Sequence, residues 1–164
     1  PGHLNFPVDR RGVIFSGRTR DVLAGGLTRP HSARLRNGEL WVDNSGHGEL
    51  GLIEDGRYKP IVRLPGWTRG LCFHGGIAFV GTSRIIPRFR HYAPGLDPTR
   101  TLAGVHAVEL RSGQILGSLI WPAGHQIFAV ELLGGLRTTG FPLQRADRGR
   151  AERLFFFKGL AGQG

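Results

Sequence analysis

The chain has 164 residues, 40% of them hydrophobic, with 27 Gly, 10 Pro and a single Cys. Patterned apolar content at this level excludes a disordered chain. One Cys excludes an intrachain disulfide, and no apolar run approaches the ~20 residues of a membrane-spanning helix. The 22 basic residues, 20 Arg and 2 Lys, outnumber 12 acidic ones to give a formal charge of +10. That excess predicts affinity for polyanions at low salt, but the Arg are scattered and carry no aromatic–basic signature of a nucleic-acid module. No signal peptide is visible, so a cytoplasmic protein without membrane association is expected.

In chain order, Val13-Ile14-Phe15, a turn at Ser16-Gly17 and the run Thr19 to Leu23 predict a first hairpin. The segment from Arg34 to Ser45 follows, two apolar strands joined by Asn37-Gly38, and it is echoed from Cys72 to Ser83 around Gly75-Gly76. Turn dipeptides that tolerate positive φ between apolar runs are the strongest short-range hairpin signal. Leu50 to Glu54 and Tyr58 to Leu64 form a further hairpin around Asp55-Gly56, closed by Pro65-Gly66. Val105 to Leu110 and Gln114 to Ile120 form another around Ser112-Gly113, closed by Pro122.

Hairpins recurring at about 40 residues predict the blades of a β-propeller. The expected order is the end of one blade to Leu27, a whole blade from Pro30 to Gly66, a second from Trp67 to Ala123, and a new blade opening at Ile127–Leu132. Three blade equivalents fall short of the four to eight that close a ring, so the expectation is an all-β, propeller-like fold, incomplete or completed by oligomerisation as a homo-oligomer.

The second blade carries an insertion from Arg84 to Gly104, longer than connections usually run and rich in Arg84, Arg88, Arg90, His91 and Tyr92. It is a candidate lid or partner-contact loop, or else an ordinary surface loop. Residues 1–140 form the expected β domain. Residues 141–164 form a tail, in which the charged run Arg145 to Arg153 suits a short helix and Leu154-Phe155-Phe156-Phe157 suits a closing strand.

Several stretches carry a resemblance: Pro30-His31-Ser32, Gly38 to Val42, Asn44-Ser45-Gly46, Gly48-Glu49-Leu50, Leu64 to Leu71, Gly81 to Arg84, His3-Leu4-Asn5 and Ile127 to Val130. Together they resemble an uncharacterised bacterial family of conserved hypothetical proteins, some described as tetratricopeptide-repeat-containing. The resemblance implies a propeller-like β fold and no established activity. A looser likeness is to six-bladed propellers of the NHL and gluconolactonase kind, in which ligands sit at one mouth of the channel. The chain departs from the family in a contracted stretch between Asn5 and Val13 and in a tail with no counterpart.

In a propeller the first residue of each innermost strand lines the channel mouth. The repeat offset places His31 on Arg69; Asn5 and Gln126 are candidates for the neighbouring positions. Such a mouth suits a small anionic or polyhydroxylated ligand, Arg pairing with a carboxylate or phosphate and the amides and His reading hydroxyls. These side chains would otherwise cap strands. Arg84, Arg88, His91 and Tyr92 of the insertion extend the candidate ligand site.

A non-catalytic binding module for a ligand or protein partner is therefore the leading expectation. A small-molecule hydrolase or lyase with His31 as base and Arg69 as anion clamp is the alternative, and polyanion or nucleic-acid binding is a weaker one. No cofactor is expected. Of seven His, only His3, His31 and His125 approach the mouth, a thin basis for a metal. The segment Asp43 to Glu49 lacks calcium-loop spacing, and its His47-Gly48-Glu49 lacks the paired Cys of a deaminase, so it reads as a connector. Trp41 and Phe79 are expected core anchors, Cys72 a small buried hydrophobe, and His74 and His106 structural.

Overall fold

The computed structural model describes residues 7–124 and 126–134. The chain divides into a unit of residues 1–132 and a second of residues 133–164. Along the first unit, three antiparallel sheets succeed one another. A two-stranded sheet pairs β1 (Gly12–Phe15) with β2 (Val22–Leu27). A four-stranded meander runs β3 (Pro30–Arg36), β4 (Glu39–Asn44), β5 (Glu49–Glu54) and β6 (Arg57–Arg63). A second meander runs β7 (Trp67–His74), β8 (Ile77–Ser83), β9 (Gly104–Glu109) and β10 (Ile115–Ile120). The fold is all-β and propeller-like in this succession, and the described strands form no closed barrel.

The tight turns have the backbone their residues demand. Asn37 and Gly38 take φ 49° and 84°, and Asp55 and Gly56 take 50° and 73°, the doubly positive pattern that matches hairpin twist. The first hairpin departs from expectation. Its turn is held by Ser16 N–H donating to Asp21 O and Arg20 N–H to Ser16 O, both at 2.9 Å, so the return strand starts at Val22 rather than Thr19. Ile127–Leu132, expected to open a blade, carries no assigned strand. It attaches through Ile127 N–H donating to Ser83 Oγ at 2.7 Å, without a described strand to form a ladder. The closing strand expected at Leu154–Phe157 lies outside the described residues.

The two meanders repeat at the level of register. In the first, His31 faces Asp43 and Arg34 faces Trp41, with a bulge between. In the second, Thr68 faces Thr82 and Leu71 faces Val80, again across a bulge. The bulges centre on left-handed residues at equivalent positions, Ser32 at φ 54° and Gly70 at φ 89°. They touch one another: Gly70 N–H donates to Ser32 Oγ at 2.8 Å. An extra bulge residue bends its strand and re-aims the side chains beside it, here His31 and Arg69.

Two apolar layers hold the sheets together. Trp41, Leu50, Leu52, Leu64, Leu71, Ala78, Val80 and Val108 form one core cluster. Ile14, Ala24, Leu27 and Val42 form another, which Tyr58 packs against. Trp41 is 2% exposed and meets Phe73 edge-on at 5.9 Å, as expected of a core anchor. Phe79 and Cys72 are only half-buried: their strand faces have no complete further sheet against them among the described residues. His106 is 1% exposed, bonded through Nε2 to Thr82 Oγ1 at 2.9 Å and through Nδ1 to Ser118 Oγ at 2.8 Å. It ties β8, β9 and β10 together.

Gly70 is where this packing leaves no room. A Cβ there would lie 2.7 Å from Val130 N and 2.8 Å from the Ala129 carbonyl carbon, at a φ that side chains rarely adopt. Gly70→Ala should lower the unfolding free energy by ~2–3 kcal/mol in urea titrations. Gly76→Ala, with open space around it, should stay within ~0.5 kcal/mol.

Candidate functional site

The connectors at one end of the sheets are knitted by main-chain hydrogen bonds. The 3-10 helix Ser45–His47 joins β4 to β5. Gly46 N–H donates to Thr28 O at 2.9 Å and Leu64 N–H to Gly48 O at 2.7 Å. The insertion joins β8 to β9 at the same end and is built of two further 3-10 helices, Pro87–Tyr92 and Pro98–Arg100. It is anchored to the preceding meander by Gly95 N–H donating to Gly46 O at 3.0 Å and Leu102 N–H to Pro65 O at 2.7 Å. The Arg63 guanidinium donates to His47 O at 3.3 Å and to Gly95 O at 3.1 Å, and the Arg29 guanidinium lies 4.0 Å from the Tyr92 ring centre.

Between this insertion and the innermost strand β7 lies a cleft of about 200 Å3. Its charged and polar lining is Arg69, Arg84 and Gln126. Trp67, Phe89 and Tyr92 supply aromatic walls, and Ile85 and Ile86 an aliphatic one. Among the described residues no carboxylate lines it. Arg69 stacks its guanidinium 4.5 Å from the Phe128 ring centre, a placement that leaves the planar N–H edge of an Arg open to a ligand. Arg84 Nε is buried without a hydrogen-bond partner among the described residues. Gln126 Nε2 donates to Arg84 O at 3.1 Å, which ties the segment after the second meander to the start of the insertion.

His31 stands behind the cleft, its ring meeting that of Trp67 edge-on at 5.7 Å. Its Nδ1 lies 3.0 Å from Arg29 O and 2.9 Å from Ser45 Oγ, and Ser45 directs its own proton to Thr68 O at 2.5 Å. Both partners of Nδ1 are then acceptors, so Nδ1 carries the proton and Nε2 keeps the lone pair. Burial lowers the His31 pKa, and the Arg69 and Arg29 charges lower it further against the opposing backbone hydrogen bond. Burial and the two charges thus favour the neutral imidazole.

Asp43, the cross-strand neighbour of His31, is fully buried. Burial holds its carboxyl well above the usual carboxylate range, with the Ser32 hydroxyl acting the other way.

Of the residues singled out by sequence, Arg69, Arg84, Tyr92 and Gln126 converge on the cleft, with His31 adjacent. Arg88 packs against the Phe89 ring at 4.7 Å and His91 against Tyr92 at 3.9 Å, and neither lines the cleft. His91 Nε2 is buried without a partner among the described residues. Asn5, His3 and His125 lie outside the described residues. Among the described residues no group of three or more His, Cys, Asp or Glu is placed to hold a metal ion. Trp67, Phe89 and Phe128 were not singled out by sequence. An aromatic beside a turn reads as core until a cleft is seen to border it.

A family model matches residues 8–141. The chain belongs to DUF4915, a domain of unknown function. The expectation of an uncharacterised family is thereby met, and membership brings no activity with it. Among curated proteins none matches. Among solved structures, the chain is similar to the computationally designed Ika8 protein at 13% identity and a TM-score of 0.45. The likeness covers 69% of this chain, which spans 31% of that one. No helix among the described residues of this DUF4915 chain is long and apolar enough to cross a membrane.

The electrostatics of the cleft can be read at His31. Its titration, followed by imidazole NMR shifts, should show an apparent pKa below 6.5. Arg69→Ala should move that value upward without restoring it fully, because burial, the larger cause, remains.

Proposed function

We propose that this chain is a non-catalytic binding module of a β-propeller and that its cleft holds a small anionic ligand. The observation that carries the reading is the convergence of Arg69 and Arg84 on a cleft that, among the described residues, has no carboxylate in its lining and no partner for the Arg84 Nε. A buried donor without an acceptor costs free energy, and an anion at this place would relieve the cost while gaining charge-assisted hydrogen bonds. The likeness to NHL and gluconolactonase propellers, whose ligands sit at a channel mouth, supports the same placement. Gln126 and His31 add groups that can read a hydroxyl beside the anionic centre. Phe89, 39% exposed on the insertion, also offers an edge to a protein partner.

Closing a ring takes further blades, and their supply by other copies of the chain belongs to the proposal, as does cytoplasmic placement. Native mass spectrometry reads the copy number.

One observation favours an enzymatic reading in second place. The Nδ1–H tautomer of His31 leaves Nε2 as a base, behind a cleft holding Arg69, the arrangement a hydrolase or lyase would use. The +10 charge keeps polyanion binding third. A ligand-observed NMR screen of small anions, cations and neutral compounds against the chain and its Arg69→Ala/Arg84→Ala variant separates these readings. The expected hits are anions, at least tenfold weaker in the variant. Neutral or cationic hits that persist in the variant would refute the anion site, chemical turnover of a hit would favour His31 catalysis, and loss of binding steep in salt would favour a polyanion.

A further inference from the structure

The aromatic walls of the cleft say more about the ligand than its charge does, and the inference drawn from them rests on the proposed anion site. We infer that the cleft is built for a planar ring bearing one carboxylate, an aryl carboxylate, rather than for a phosphate or a sugar. Three rings, those of Trp67, Phe89 and Tyr92, and two isoleucines, Ile85 and Ile86, form most of the lining. Walls of this kind cannot replace the water that a phosphate dianion or a ring of hydroxyls gives up on entry. They compensate the transfer of an apolar body, and flat side chains favour a flat partner at offset or edge-on distances.

Size points the same way. A dry cavity of ~150 Å3 accommodates benzene, and the cleft here is about 200 Å3, room for one ring and a carboxylate. Drug-sized sites span ~300–1,000 Å3.

The polar end is equally restrictive. Arg69 is braced on Phe128 at 4.5 Å, so its guanidinium plane is set and its N–H edge can form the two parallel bonds a carboxylate accepts. The second cation, Arg84, has its main-chain carbonyl held by Gln126 at 3.1 Å and its Nε without a partner among the described residues. The insertion that carries Phe89 and Tyr92 is fastened at Gly95, Leu102 and Arg63. The ring-binding walls are therefore positioned by the preceding meander, and the anion-binding edge by the innermost strand.

Isothermal titration of the chain with benzoate, cyclohexanecarboxylate, acetate and inorganic phosphate tests this. Benzoate should bind at least tenfold more tightly than acetate, and more tightly than cyclohexanecarboxylate. Phe89→Ala, at a residue outside both core clusters, should reduce the preference for benzoate over acetate to under threefold. Arg69→Gln should weaken both carboxylates at least tenfold. Should Arg69→Gln fail to fold, the Phe89→Ala comparison still decides the question. Equal binding of acetate and benzoate would overturn the ring subsite while leaving the anion site standing, and so would phosphate binding more tightly than benzoate. Binding of none of the four would remove the anion reading itself.

Discussion

The structure depends on one contact between two bulges. Ser32 and Gly70 hold equivalent places in successive innermost strands, both left-handed, and the Gly70 amide donates to the Ser32 hydroxyl. A bulge in one strand alone would turn its neighbours by an arbitrary amount. Two bulges in contact set the spacing between innermost strands and aim the residues just before them, His31 and Arg69, toward the same end of the sheets. Gly70 is bare because Val130 and Ala129 press against it, so the contact that spaces the first two innermost strands also seats the segment that follows the second meander. Asp43 faces His31 across the strand pair at this contact, and burial holds its carboxyl well above the usual carboxylate range.

The cleft follows from that spacing and from a second fastening at the same end. The insertion returns over the preceding meander through Gly95 and Leu102, and Arg29 closes on Tyr92. Two guanidiniums then face a space in which, among the described residues, aromatic rings and not carboxylates are the neighbours. Cations in such surroundings are incompletely solvated, which is the physical state an anionic ligand answers. Burial first, and the Arg69 charge after it, lower the pKa of His31, which disfavours a third positive charge beside the cleft.

Much of this was legible in the sequence because turns are local. Asn37-Gly38 and Asp55-Gly56 declare their hairpins through residues that accept positive φ, and the repeat they mark carried Arg69 onto His31 without any structure. The insertion was legible as a lapse in strand pattern, and Arg84, Tyr92 and Gln126 meet Arg69 in the cleft. Burial that depends on a neighbouring sheet was not legible. Phe79 and Trp41 are equivalent in the repeat, yet Trp41 lies between two sheets and Phe79 is only half covered. The longer turn at Ser16–Asp21 was hidden as well, since Thr19 suits a strand as well as a turn. The walls at Trp67 and Phe89 depend on the path of the insertion back across the first meander, which no short spacing encodes.

The central claim is that the Ser32–Gly70 hydrogen bond positions the innermost strands. Amide hydrogen exchange at Gly70 in the wild type and in Ser32→Ala measures it directly, with the Ser118 amide of β10 as an internal reference. A protected Gly70 amide whose exchange accelerates at least tenfold in Ser32→Ala, with Ser118 unchanged, is the predicted result. Equal exchange at Gly70 in the two proteins would contradict it and place the origin of the strand spacing elsewhere.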